Sequence, residues 1–433
     1  MDTKDKNRKT DEQEQEYAFI RQEVRPKRGR KFLKKLFSGM LLVIPLALLF
    51  GFLAFLSFRI TQKYLMPETT TVTETETFSI ETTERTTEPP TETTTEAETE
   101  SESETETETE DPTRAIRDFY AVFRGITSKA GSSIVTVTSV TNGSDWFFNE
   151  SEKTDKSFGL ILAENSQALL ILTPYDPIAE ANEVWVTFRN GSEVEAVKYS
   201  SDQELGLSCV EVELENIPPE ARASYQTAVL GDSLGLNAGV PVIAVGAPNG
   251  YVNSVDFGFI SNRKTTESII DNEIELFNTS MPDHANSSGV IVDLNGSVVG
   301  MLTHRFDTNL NEGLSTCYSI NSLSQLVTDL AMKAERPYLG IYGSVVQGNI
   351  GSTLGVAEGI YVYKVVKESP AYAAGIERGD IIVSIDDKPI ADFPDLQSAI
   401  REAGAEETVT VQVVRTTRTT DNELTFEVTL GRR

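Results

Sequence analysis

Residues 36–58, LFSGMLLVIPLALLFGFLAFLSF, contain no charged side chain. A helix across a hydrocarbon core needs about 20 apolar residues, so this run is long enough to span one. A single Pro45 is tolerated in such a helix. The segment before it ends in RPKRGRKFLKK, and residues 1–35 carry a net charge of +5. A basic N-terminal flank places that flank in the cytoplasm and the C-terminal side of the helix outside. The run is longer than a signal-peptide core, and Ser57-Phe58-Arg59 is a poor cleavage site. We therefore expect a basic cytoplasmic tail over 1–35, one transmembrane helix over 36–58, and folded parts that begin beyond them. This assigns the protein to the cell membrane with its C-terminal domains extracellular.

Residues 59–110 offer nothing to fold. From 67 to 110 they are almost all Thr and Glu, with a net charge of −14. A segment this poor in apolar side chains cannot offset the entropy of ordering, and like charges extend it further. It reads as a disordered stalk. The whole chain of 433 residues carries −28, which excludes a nucleic-acid protein, because phosphate binding needs clustered Lys and Arg. Two cysteines exclude a disulfide scaffold. Cys209 and Cys317 fall in separate apolar runs and read as buried thiols, with a bridge between them left open by the spacing. Two histidines, His284 and His304, limit imidazole chemistry to those positions.

From 111 to 332 short apolar or alternating runs end in Gly, Asn or Pro: SSIVTVTSV, ALLILTP, EVWVTFRNG, LSCVEVEL, VPVIAVGAPNG, GVIVDLNGSVVGML. That spacing is the signal of an all-β barrel or sandwich. Helical periodicity appears only at the edges, in TRAIRDFYAVFRGITSKA and NSLSQLVTDLAMKAE. From 335 to 433 the pattern becomes strand, short helix, Gly turn and strand, with an amphipathic PDLQSAIREAG, which suits one small α+β domain.

The run Val245 to Ser261, VGAPNGYVNSVDFGFIS, resembles a "G-x-P-x-G … V-T-x-G-I-V-S" segment of the HtrA/DegP family. That family joins a trypsin-like serine protease domain to a PDZ domain. Ser369-Pro370-Ala371 to Gly375 and Arg378-Gly379-Asp380-Ile381-Ile382 resemble the PDZ signature. The resemblance implies a mainly β fold: a trypsin-like double six-stranded β-barrel, then an α+β PDZ domain. It also implies no cofactor and no metal site, and no ligand spacing among Asp176, Asp283, His284 and Asp293 suggests one.

The family's acyl-transfer site needs a Ser nucleophile, a His base and an Asp that orients it. The resemblance puts Ser287 on the nucleophile within Ala285-Asn286-Ser287-Ser288-Gly289, where the family reads G-N-S-G-G. Ala285, Asn286 and Ser287 fall on the oxyanion loop. The His position, in Ile171-Leu172-Thr173-Pro174-Tyr175-Asp176, is Asp176, whose ordinary pKa near 3.9 makes it a poor proton acceptor beside imidazole near 6.5. The Asp position, four residues after Asp202, is Gly206. Two of three triad members are thus replaced, which implies a pseudoprotease. His304 follows the strand that lines the family's specificity pocket and stands as a non-standard base in an active-enzyme alternative. His284 lies in the oxyanion loop itself.

Tyr338-Leu339-Gly340-Ile341 resembles a PDZ carboxylate-binding loop. It implies capture of peptide C-termini or unfolded segments by backbone N–H groups, with the peptide added to a sheet edge. The family role implied is envelope protein quality control. A non-enzymatic stalked scaffold is the further alternative. The family also implies a homotrimer built through aromatic residues such as Phe119, Tyr120 and Phe123, though an amphipathic helix packed on its own barrel accounts for them equally.

Overall fold

The computed structural model describes residues 113–144, 150–306, 313–346, 358–416 and 421–433. The expected tail, transmembrane run and stalk lie outside the described residues, as does Trp146. Among the described residues no helix is long and apolar enough to cross a membrane.

Helix α1 (Arg114–Gly131) leads into strand β1 (Ile134–Ser144). The first barrel continues with β2 (Glu150–Glu164), β3 (Ala168–Pro174), the one-turn helix α2 (Asp176–Ala179), β4 (Glu183–Thr187), β5 (Glu193–Asp202) and β6 (Leu207–Glu213). After the short helix α3 (Pro219–Arg222) the second barrel uses β7 (Pro241–Ala247), β8 (Ser254–Ile269), β9 (Asn272–Pro282), β10 (Ser288–Val292), β11 (Val298–Leu302) and β12 (Leu314–Ser319). Helix α4 (Ile320–Met332) closes this part. Each set of six closes on itself, in the orders β1-β2-β3-β6-β5-β4 and β10-β11-β12-β9-β8-β7. The double six-stranded barrel expected from the resemblance is therefore present.

The apolar run of β3 follows from this arrangement. Successive strand side chains point to opposite faces. Leu169 and Ile171 face the interior of the first barrel with Val135, Val186 and Val210. Leu170 and Leu172 face the seam between barrels with Phe158, Ile243, Val245 and Val290. A strand buried on both faces reads as continuous rather than alternating. At the seam, Gly246 and Gly289 let β7 and β10 approach. A Cβ on Gly246 would come within 3.0 Å of Gly289 Cα.

The C-terminal domain comprises β13 (Pro337–Tyr338), β14 (Ile341–Val345), β15 (Ile360–Val365), helix α5 (Pro370–Ala374), β16 (Asp380–Ile385), β17 (Lys388–Pro389), helix α6 (Phe393–Ala403), β18 (Thr408–Thr416), β19 (Asp421–Thr429) and β20 (Gly431–Arg432). Its main sheet runs β14-β15-β16-β18-β19, so β14 is an edge strand. Helix α6 begins where Asp392 accepts a bond from the Asp395 amide at 3.0 Å. Its Phe393, Leu396 and Ile400 are fully buried against Ile341, Ile360 and Val411. Both cysteines are free and buried, so the two half-barrels are not bridged.

Candidate active site and peptide-binding loop

The loop that the resemblance marks for the nucleophile runs from Asp283 to Ser287, between β9 and β10. Its backbone closes a tight turn, with the Ser287 amide donating to the His284 carbonyl at 2.8 Å. In acyl transfer that amide has to point at the developing oxyanion. Here it is already bonded within its own loop. Of the two residues that replace loop glycines, neither Ala285 nor Ser288 takes a positive φ, whereas Gly289 does, at 144°.

Ser287 is only 4% exposed. Its Oγ donates to Asp283 Oδ1 at 3.2 Å and lies 3.1 Å from His304 Nε2. The same Nε2 lies 2.9 Å from the Ser287 carbonyl oxygen. A carbonyl can only accept, so this contact requires the proton on Nε2. An Nε2 that carries a proton has no lone pair for the Ser287 hydroxyl, and the hydroxyl turns to Asp283 instead. His304 Nδ1 stands 3.6 Å from Asp283 Oδ1, beyond a hydrogen bond. The sequence alone favours two ordinary histidines. The structure does bring His304 to Ser287, but while Nε2 donates to the Ser287 carbonyl it cannot act as the base of that serine.

At the family's base position, Asp176 opens helix α2 with its side chain largely exposed, and it pairs with Arg305 Nη2 at 2.6 Å. Arg305 also covers Gly206. A Cβ at Gly206 would come within 3.0 Å of the Arg305 Nε, and Gly206 itself has φ 67°. The guanidinium thus lies between Asp176 and Gly206, the two positions that the resemblance aligns with the family's base and its orienting carboxylate. Sequence reasoning does not identify Arg305, because nothing in its neighbours marks it as reaching a loop that far upstream.

In the PDZ domain three backbone amides converge on one carboxylate. Leu339 N donates to Asp271 Oδ2 at 2.8 Å, Ile341 N to Oδ1 at 2.8 Å, and Gly340 N to both oxygens at 2.9 and 3.0 Å. Tyr338, grouped with them on sequence, pairs with Gly431 across β13 and β20. Gly340 has a stronger constraint than ligand approach, and it is internal: φ is 95°, and a Cβ there would come within 3.0 Å of the Ser369 Cβ. Asp271 is the other functional residue that sequence reasoning misses. It is 2% exposed, and burial pushes its carboxyl up to about 6 against the pull of the three amides and Arg433.

A charged seam surrounds this contact. Arg336 Nη1 bonds Asp202 Oδ2 at 2.7 Å, Arg433 Nη2 bonds Glu204 Oε2 at 2.7 Å, and Arg401 grips Asp329 through both nitrogens at 3.1 and 2.6 Å. A cavity of about 480 Å³ lies among Glu204, Asp271, Asp329, Arg401 and Arg433.

Residues 159–301 match the trypsin-like peptidase domain family, and residues 337–430 match the PDZ domain family. The chain is 29% identical over 295 residues to "Serine protease Do-like HtrA" of Lactobacillus helveticus, covering 64% of this chain and 69% of that one. It is 28% identical over 283 residues to "Serine protease Do-like HtrB" of Bacillus subtilis, covering 60% of each. With a DegP-like probable periplasmic serine endoprotease of Pseudomonas fulva it shares 29% identity, over 53% of this chain and 48% of the relative. Among solved structures, "HtrA-type protease AlgW with decapeptide" superposes with a TM-score of 0.52 at 21% identity, covering 72% of this chain and 98% of that one. That likeness concerns the fold.

Proposed function

Since this chain carries the trypsin-like peptidase and PDZ domains of the HtrA/DegP family, we propose that it works as a peptide-binding member of that family whose peptidase domain does not hydrolyse. On this reading it is anchored in the cell membrane by residues 36–58, faces outward, and takes peptide C-termini or unfolded segments in envelope protein quality control. The observation that carries the loss of hydrolysis is the Arg305 guanidinium. It pairs with Asp176 and fills the space beside Gly206, so neither a base nor its orienting carboxylate stands at the family's positions. The observation that supports peptide binding is the loop Leu339–Ile341, whose amides already hold a carboxylate at 2.8–3.0 Å. A C-terminal carboxylate has the same charge and two acceptor oxygens.

The test is turnover of labelled casein and of a fluorogenic peptide by the purified full chain, beside Ser287→Ala. Equal, baseline rates are expected. Hydrolysis that disappears in Ser287→Ala would overturn the reading.

The 3.1 Å approach of His304 Nε2 to Ser287 Oγ supports a second reading, an endopeptidase with a relocated base. It requires the imidazole to leave the Ser287 carbonyl and change tautomer. Labelling of Ser287 by a fluorophosphonate, lost in His304→Ala, would favour it.

A further inference from the structure

Hairpin β8–β9 reaches the PDZ domain through a two-residue tip. Ile269 pairs with Asn272, leaving Ile270 and Asp271 at the turn, with Asp271 in the left-handed region at φ 58°. Asp is among the few residues that adopt this conformation at little cost. The tip then meets the PDZ edge strand as a ligand would. Asp271 N donates to the Ile341 carbonyl at 2.8 Å, and its carbonyl accepts from Gln397 Nε2 on α6 at 2.7 Å. Three residues back, Ser268 Oγ accepts from Gly343 N at 3.1 Å. An added peptide strand draws its affinity from these same edge groups, the carbonyl and amides of β14. Glu204 braces the tip: its Oε1 accepts from Ile270 N at 3.0 Å and from the Tyr342 hydroxyl at 3.0 Å.

We propose that hairpin β8–β9 is a tethered occupant of the PDZ groove, with the Asp271 side chain in the seat of a terminal carboxylate, and that peptide C-termini bind by displacing it. This rests on the reading that the groove takes peptide C-termini. The occupant is not a weak mimic by chance contact. It fills all three amides of Leu339–Ile341, the Ile341 carbonyl and the Gly343 amide, and it is buried. A free peptide meets a binding-competent groove only in the open fraction, so its apparent affinity falls by that fraction. The tether gives the hairpin an effective concentration no dilute peptide matches. Only a multivalent or abundant set of C-termini would compete, as an accumulation of unfolded chains supplies.

Two readouts on the full chain test this. The first is hydrogen exchange over residues 337–345. The second is anisotropy of a rhodamine-labelled decapeptide pool, randomised at its last three positions, with free or amidated C-termini. Asp271→Ala is expected to speed exchange of the Leu339–Ile341 amides at least tenfold and to tighten binding of the free-carboxylate pool at least tenfold. Asp271→Gly, which suits the left-handed φ of 58° and likewise removes the carboxyl group, serves if the alanine variant does not fold by near-UV circular dichroism, and it is expected to move both readouts in the same direction. Unchanged exchange in the folded variants would overturn the tether. Equal peptide affinity before and after substitution would also overturn it, while leaving the peptide-binding reading intact. Faster exchange with no pool binding to any variant would support the tether and remove the peptide-binding reading instead.

Discussion

The Arg305 Nε stands so close to Gly206 Cα that a Cβ at position 206 would fall within 3.0 Å of it, closer than real Cβ contacts occur. Asp176 completes the arrangement by binding the same guanidinium at 2.6 Å. Asp176 thus holds an arginine rather than an imidazole. Restoring the family residues alone therefore does not restore the site. Asp176→His with Gly206→Asp is expected to leave casein turnover at baseline, because Arg305 still fills the space. Adding Arg305→Ala is the minimum needed before any turnover appears, and the His284 carbonyl on the Ser287 amide has still to move. Turnover in the two-residue variant with Arg305 intact would show that this arginine is no obstacle.

Gly206 itself faces two separate costs, and they can be separated. Gly206→Ala brings a Cβ both into φ 67° and against Arg305. We expect a loss of about 1–3 kcal/mol in urea unfolding of the protease domain. Arg305→Ala removes the steric part only, so the pair should couple in a double-mutant cycle, with the double variant less damaged than the sum. Strict additivity would mean that the arginine swings away freely.

The PDZ signature Arg378-Gly379-Asp380 has a physical basis beyond the turn. Asp380 is fully buried, and Arg415 grips it through Nε at 2.6 Å and Nη2 at 2.8 Å. Its Oδ2 also accepts from the Glu377 amide at 2.8 Å. Removing one partner of a buried pair leaves the other uncompensated and costs about 3–5 kcal/mol. Arg415→Met should therefore lower the PDZ transition in thermal unfolding strongly, while Asp380→Asn with Arg415→Met together should be milder than Arg415→Met alone. A small effect of Arg415→Met would show that solvent reaches Asp380.

Much of this molecule is legible in its sequence, and the boundary is instructive. Strands announce themselves where one face is buried: β4, EVWVT, alternates in sequence and alternates in burial. Asp176 and Gly206 are marked as the positions to compare with the family's triad because they sit inside local patterns that fix their register. What surrounds those two positions is not legible. Arg305 meets Asp176 from 129 residues away, and Asp271 meets the PDZ loop from 68 to 70 residues away. Such contacts are made by barrel closure and domain packing, and no short-range period encodes them. His304 falls between the two cases: sequence marks it as a candidate base, yet its approach to the Ser287 carbonyl at 2.9 Å comes only from the fold.

The cysteines give a simple check on the barrel interiors. Burial pushes the Cys209 thiol up to about 12 and raises Cys317 well above its ordinary value. Only the thiolate reacts readily. Neither thiol should consume Ellman's reagent in the native protein at about pH 8, and both should do so in concentrated guanidinium. One thiol reacting natively would mean that its half-barrel opens.

Acidity should close the PDZ groove, and the direction is set by Asp271. Its carboxyl is raised from 3.8 to about 6 by burial when the hairpin is seated. In the open state it is solvated and ordinary. The seated form therefore holds its proton more tightly, so closure is strongest below about pH 4 and weakens as pH rises through about 6. Other groups face the same seat. Arg433 favours the ionised carboxylate and stays charged throughout, and Tyr338, itself raised by burial, stays neutral. Glu204 braces the tip from β5–β6, and Asp202 beside it feels burial pushing up but is held low by Arg433, the Leu205 amide and Arg336. Asp202 thus loses its charge only below the window in question. A peptide's own terminal carboxylate, near 3.5, is ionised across that window. Binding of the rhodamine-labelled pool should therefore tighten several-fold between about pH 5.0 and 7.5 in the native chain and stay flat in Asp271→Asn. If the asparagine variant shows the same slope, the titrating group is not Asp271.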